Sequence, residues 1–249
     1  MSDLRPTISA PPGGWGHPWP NVAEIESVLS HEVWTLIGGL MVQLHALHHG
    51  VASVRPTNDV DIVVHVETGR GRPTRIADAL KGFGYEIQSP LDPRTSIAHG
   101  FKRGGDTVDV VVADHAAPSV IERIAGHDMV LIEGGTQALR RTVNAKLASA
   151  TDSPTTVSVP DPYGALILKA AAHRTDTRDR ERHLLDAAVL LACITDPFAE
   201  LEREPSGSDR SRVLHLREHL ADPLHVAWLQ RDAGQRADAQ ATLGILTKS

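Results

Sequence analysis

Asp59 and Asp61 stand one residue apart in "RPTNDVDIVV", residues 55–64, at the mouth of an apolar run. Side chains two apart on a β-strand share a face, so the two carboxylates lie side by side and repel unless a cation sits between them. An acid inside "VDIVVHV" would also cost several kcal/mol if buried without a partner. The pattern points to a metal ion. A third acid, Asp109, occurs between Val108 and Val110 in the strand-like run "DTVDVVVAD". Placed alongside the first strand, it would bring three carboxylates to one end of a sheet. Such a set can hold two divalent cations about 4 Å apart, activate an attacking oxygen and neutralise charge on a transferring phosphoryl group.

Upstream, Gly38 and Gly39 separate the short apolar segment "EVWTLI" from the helical pattern "LMVQLHALHH". A turn without side chains lets a triphosphate approach closely. The helix that follows offers unpaired backbone N–H groups and the positive end of its dipole. Metal on one side and amide donors on the other form a nucleotide phosphate site. Each feature alone has a plainer reading. "TND" is turn chemistry that would account for Asp59 by itself, and a lone glycine pair is weak evidence.

The elements that must position these groups are legible in outline. The first twenty residues, rich in Pro, Gly and Trp, read as an irregular arm, with Asn21 as the cap of a helix over "VAEIESVLS". Strand, glycine turn and helix then run through residues 32–49, followed by the strand "DVDIVVHV", a helix "TRIADALKGFG" and the strand "YEIQS". "SIAHGFKRGGDTVDVVVAD" reads as a hairpin turning at Gly104 and Gly105. After about residue 155 the apolar spacing becomes helical throughout, and the Asp-Pro pairs at Asp161 and Asp222 read as helix starts. The expected plan is α+β: an arm over residues 1–20, a mixed-sheet head over 21–155 and a helical bundle over 156–249.

Composition narrows the class. A formal charge of −6 argues against a protein that coats nucleic acid indiscriminately. No apolar run approaches the roughly 20 residues of a membrane span, and the amino terminus has no apolar signal core, so a cytoplasmic protein without membrane contact is expected. The single cysteine, Cys193, excludes a disulfide framework and any zinc site of paired cysteines. His45, His48 and His49 in "LHALHHG" read as a solvated or capping helix end in preference to a metal site.

A glycine pair, then "DVD", then a lone acid on a later strand resembles the nucleotidyltransferase superfamily of DNA polymerase β. "RPTNDVDIVV" is most similar to the AbiEii/AbiGii toxin family, which includes the MenT-type toxins of mycobacteria. The family's helical "LK" motif corresponds to "LILKAAAHR", with Lys169 and Arg174, and its later acid-bearing helix to "RDRERHLLDAAVL", with Asp179, His183 and Asp186. The motifs fall in the family's order over residues 33–192. Three positions depart from the pattern: Gly39 stands where a serine is usual, Thr107 where a basic residue often precedes the third acid, and His183 where an acid is expected unless Asp179 fills that role.

The resemblance implies a metal-dependent enzyme moving a nucleoside monophosphate from an NTP to an acceptor hydroxyl, with tRNA 3′ ends as an acceptor and a cognate antitoxin as partner. Asp59, Asp61 and Asp109 would hold Mg²⁺ or Mn²⁺ and, with Lys169 and Asp186, form the catalytic set. Gly38, Gly39, Arg55, Thr57, Lys169 and Arg174 would bind the nucleotide. A solvent-facing Lys169 would mark a merely supporting helical half. A catalytic one should lose its rate on truncation with little change in stability. The rivals are a small-molecule, aminoglycoside-type nucleotidyltransferase and a non-catalytic nucleotide-binding module of the same fold. A basic groove of Arg55, Arg70, Arg72 and Arg75 with the Arg174 cluster would favour RNA, and the acidic net charge the small molecule.

Overall fold

The computed structural model describes residues 6–52, 55–88, 97–148, 155–203 and 207–248. Residues 1–5 of the expected arm, Ser89 of "YEIQS" and Ser96 of the hairpin segment lie outside them. The chain divides into two compact units, Met1–Met41 with Pro56–Pro160, and Val42–Arg55 with Asp161–Ser249.

The first unit is built from β1 (Thr7–Ile8), α1 (Trp19–Val28), β2 (Trp34–Ile37), the start of α2 (Gly38–His49), β3 (Asp59–Val64), α3 (Pro73–Gly82), β4 (Glu86–Ile87), β5 (Gly100–Arg103), β6 (Asp106–Ala113), β7 (Leu131–Ile132), α4 (Gly135–Arg140), β8 (Thr142–Leu147) and β9 (Thr155–Pro160). Strands β2-β3-β6-β5-β4 form one mixed sheet, with β7 pairing β6, and β1-β8-β9 form a second sheet. β3 and β6 are parallel and central, and their β-branched residues explain why. Val60, Ile62 and Val64 on β3 and Val108, Val110 and Val112 on β6 are fully buried on one face. On the opposite face Val63, Val111 and Ala113 form a second apolar cluster with Ile37, Ile132 and Leu139 packed against it. The β5–β6 hairpin turns at Gly104, whose φ of 59° suits glycine.

Two expectations are corrected at the amino terminus. α1 begins at Trp19, two residues before the anticipated Asn21 cap, with proline in its first turn and the Asn21 side chain buried inside the helix. Pro20 suits the first turn because the N–H it lacks has no helical partner there anyway. Within the supposedly irregular arm, Thr7 and Ile8 pair in parallel with Lys146 and Leu147. A two-residue strand is too short to show the period by which strands are read.

Among the described residues the second unit holds the rest of α2 and the helices α5 (Pro162–Thr175), α6 (Glu181–Cys193), α7 (Pro197–Glu202), α8 (Gly207–His219), α9 (Val226–Leu229) and α10 (Ala233–Leu246). α5 packs against α6 and α8, and α10 against α6. The run "YGALILKAAA" is apolar nearly all round, so Tyr163 through Ala171 are buried and α5 is the central helix. Asp161 caps it by accepting from the Gly164 N–H at 2.8 Å. Asp222 does not start a helix. Its carboxylate accepts from the Leu224 N–H in a turn, and α9 begins later with His225 as its cap. Asp196-Pro197 starts α7, with Asp196 accepting from Phe198 and Ala199. Cys193 is buried at the end of α6, and burial pushes its thiol up to about 12. No helix among the described residues is long and apolar enough to cross a membrane.

Candidate active site

Register assembles the acids. β3 runs parallel to β6 with Asp61 opposite Asp109 and Asp59 opposite Thr107. Asp59, Asp61 and Asp109 each place a carboxylate oxygen within 4.8 Å of the others. They occupy the first half of the face that further along carries Val63 and Val111, so the carboxylates sit at the rim of an apolar cluster. That position has an electrostatic cost. Burial and the like charge of Asp59 push the Asp109 carboxyl above its ordinary value, and His99 pulls the other way.

Glycines make room for the acids. β2 pairs antiparallel with β3, Ile37 opposite Asp61, so Gly38 arrives beside the Asp61 carboxylate. A Cβ at position 38 would lie 1.8 Å from Asp61 Oδ2, and the φ of 71° is one that side-chain-bearing residues rarely adopt. Gly38 is thus required twice, by backbone and by contact. α2 starts at this residue, so its unpaired N–H groups and positive dipole end belong to the same region. On the other side Gly100 pairs with Asp109, and a Cβ there would come within 3.3 Å of Asp109 Oδ1. Thr57 donates its hydroxyl to Asp59 Oδ1 at 2.6 Å, which fixes one carboxylate of the set.

The three acids suit a divalent cation. Around Mg²⁺, with oxygens at about 2.1 Å, neighbouring ligand oxygens are about 3 Å apart and opposite ones about 4.2 Å. A mutual separation within 4.8 Å reaches those distances by small side-chain rotations. Burial is the main cause of the raised Asp109 carboxyl, a cost that a bound cation would offset.

In the second unit a different set meets. The Arg55 guanidinium donates twice to Asp186, Nε to Oδ1 at 3.0 Å and a terminal nitrogen to Oδ2 at 3.1 Å. Lys169 Nζ lies 2.8 Å from the same Oδ2, with both side chains of that pair almost fully buried. Lys169 therefore does not face solvent, and removing it disturbs a buried ion pair, so the expected near-invariance of stability is replaced by a loss. Burial alone would raise the Asp186 carboxyl, but the charges of Lys169 and Arg55 and the hydrogen bonds they donate outweigh it and hold the group below its ordinary value. Arg231, also buried, lies near enough for Asp186 to act on its charge.

Arg174 is exposed in the last turn of α5, and Asp179 is exposed before α6. His183 is buried with Nε2 3.0 Å from Asp176, which also accepts from Arg182. Of the arginines expected to line a basic groove, Arg70 pairs with Glu32 and Arg72 with Glu122. His99 and Gly100, beside Asp109, were not anticipated from the sequence. The usable signal was a His-Gly pair just before the hairpin, where glycine serves no turn.

A family model described as nucleotidyl transferase AbiEii toxin, type IV TA system, matches residues 22–237 and so runs through both units. An antigenic nucleotidyltransferase-like protein from Paracoccidioides brasiliensis, known from its crystal structure, is similar in fold, with a TM-score of 0.51, 16% sequence identity and 92% of each chain covered. No curated protein sequence matches the chain.

Proposed function

The chain belongs to the AbiEii family of nucleotidyltransferase toxins of type IV toxin–antitoxin systems, and from that premise we propose that it moves a nucleoside monophosphate from an NTP to the 3′-terminal hydroxyl of a tRNA, in a reaction that depends on Mg²⁺ or Mn²⁺ and is countered by a cognate antitoxin. The observation that carries the reading is the parallel register that sets Asp61 against Asp109 while Gly38 abuts Asp61. Asp59, Asp61 and Asp109 would hold the cation, which supplies charge neutralisation on the phosphates and acidifies the acceptor hydroxyl.

The chain's own groups do the rest. Backbone N–H groups at the start of α2, reached past Gly38 and Gly39, hold the triphosphate. Thr57 keeps the Asp59 carboxylate in place. The acceptor oxygen attacks the α-phosphorus as its proton passes to Asp109. The bond from the α-phosphorus to the bridging oxygen breaks, and pyrophosphate leaves with the electron pair. Lys169 and Arg55, two cations on the single Asp186 carboxylate, retain net positive charge that suits them to nucleotide phosphates, and Asp186 fixes their orientation. Arg174, exposed on the same helix as Lys169, adds to that charge.

One observation favours a small-molecule acceptor as the second reading: Arg70 and Arg72 spend their charge on Glu32 and Glu122 and so contribute less to a basic groove for RNA. Incubation of the full chain with each labelled NTP, Mg²⁺ and total RNA tests both. Label in tRNA, lost on adding chelator, supports the first reading. Label absent from RNA but entering a hydroxylated small molecule of the aminoglycoside type supports the second, and label in neither removes both.

A further inference from the structure

His173 on α5 and His215 and His219 on α8 converge within the second unit, and none of the three has a part in the transfer reaction above. Each offers a ring nitrogen, and the three lie within 4.8 Å of one another. Ring centroids are 4.4–5.0 Å apart in all three pairings. His215 and His219 are four apart on one helix and so share a face. His173 is fully buried, His215 half-buried and His219 exposed, a gradient from interior ligand to open side.

We propose that these three histidines form a transition-metal site, for Zn²⁺ in the first instance, independent of the acidic set and of the transfer reaction. Three imidazoles with a fourth position open to solvent are a known zinc arrangement, and borderline-soft nitrogen donors select Zn²⁺ over the hard cations that carboxylates prefer. His173 Nδ1 and His215 Nε2 are 2.8 Å apart, joined by a hydrogen bond. Tetrahedral ligation with Zn–N of about 2.0–2.1 Å would set them about 3.3 Å apart, an adjustment of a few tenths of an ångström. The orientation of His219 is fixed independently. Its Nδ1–H donates to the His215 carbonyl at 3.0 Å, which leaves Nε2 as the lone-pair atom, the second-sphere arrangement that holds metal-binding imidazoles in the correct tautomer.

The surroundings set the affinity. Arg174 and Arg180 bring positive charge toward the cluster, and Glu218 acts in the opposite sense on His215. Arg180 is tied to the His173 carbonyl at 2.8 Å, and His183 of α6 also acts on His173. The site thus belongs to Zn²⁺, Ni²⁺, Co²⁺ or Cu²⁺, whose bonds to imidazole are strong, and not to Mg²⁺. Its effect is architectural: one ion would join α5 to α8 one turn beyond Lys169.

The test uses chelator-treated full-length protein titrated with Zn²⁺ in excess Mg²⁺, followed by calorimetry, by Co²⁺ absorption and by the melting midpoint. One tight Zn²⁺ per chain is expected, with tetrahedral Co²⁺ bands. At free zinc about 100-fold above its Kd the melting midpoint should rise by roughly 5–10 °C. His219→Ala, an exposed position that should leave the metal-free melting midpoint unchanged, and His215→Ala should each weaken binding at least tenfold and remove the rise, whereas Asp61→Asn should retain both. Zinc binding unaltered in both histidine variants, its loss in Asp61→Asn instead, or no tight equivalent in the wild type would each overturn the proposal.

Discussion

Asp109 is half-buried and Asp186 buried, and the carboxyls of these two aspartates move in opposite directions. Asp109 is raised, chiefly by burial, with His99 pulling it down and the like-charged Asp59 adding a smaller push upward. Asp186 is lowered, held between Lys169 and Arg55. One unit thus holds a carboxylate whose lost hydration is not offset, at the rim of an apolar cluster, and the other resolves its charge internally. A cost of that kind lowers stability unless a ligand relieves it, which is why perturbed acids gather at working sites. A matched buried set adds rigidity and becomes costly only when one member is removed.

The largest effect should separate rate from stability. Asp61→Asn is expected to lower nucleotide transfer about a thousandfold, the order seen when an electrostatic stabiliser is lost. The same change should leave the chelator-treated protein as stable as before or more so, because a like charge has gone. Wild-type transfer by this variant would place the chemistry elsewhere. Asp186→Ala should do the reverse, stranding Lys169 and Arg55 and costing about 3–5 kcal/mol in urea unfolding. If Asp186→Ala unfolded at the wild-type midpoint, the second unit would not be the matched region described.

Lys169→Ala sharpens the contrast. Asp186 keeps Arg55, so a smaller loss of about 1.5–3 kcal/mol is expected from the missing charged hydrogen bond. If Lys169 also meets the triphosphate, transfer falls about a hundredfold at saturating NTP. Stability lost with transfer intact would confine Lys169 to architecture. The smallest effect lies in pH. Asp109 is raised in the folded state, so in chelator-treated protein its contribution disfavours folding increasingly as pH rises from the unfolded carboxylate value of about 3.9 through the raised one. Asp186 is lowered, so its stabilisation is complete above about pH 3.9 and is lost as pH falls through its depressed value. Differences between the wild type and Asp109→Asn or Asp186→Asn, measured as urea midpoints across acidic pH, should therefore have opposite slopes. Parallel slopes would end the distinction.

What could be read beforehand followed local rules. Asp59 and Asp61 declared their common face through a period of two, and Asp161 declared a helix start through its own cap. The pairing of Asp186 with Arg55 could not be read, because the two are 131 residues apart and no spacing encodes that meeting. Arg182, the arginine four residues before Asp186, goes instead to Asp176. Gly38 was legible as a turn, but the reason no side chain fits there is the Asp61 carboxylate across a strand pair. Asp196-Pro197 and Asp222-Pro223 are identical dipeptides. Only the first is followed at once by helix, and the difference lies in where the next backbone N–H groups point.

The buried thiol at the end of α6 makes the second unit observable by itself. Alkylating reagents react with thiolate, and a group pushed up to about 12 and closed off from solvent supplies almost none at neutral pH. Modification then waits for α6 to open, and because the chain has one cysteine, every covalent mark records an opening of that unit and of no other region. The labelling rate becomes a clock for local breathing, read by mass spectrometry without adding a probe or changing a residue.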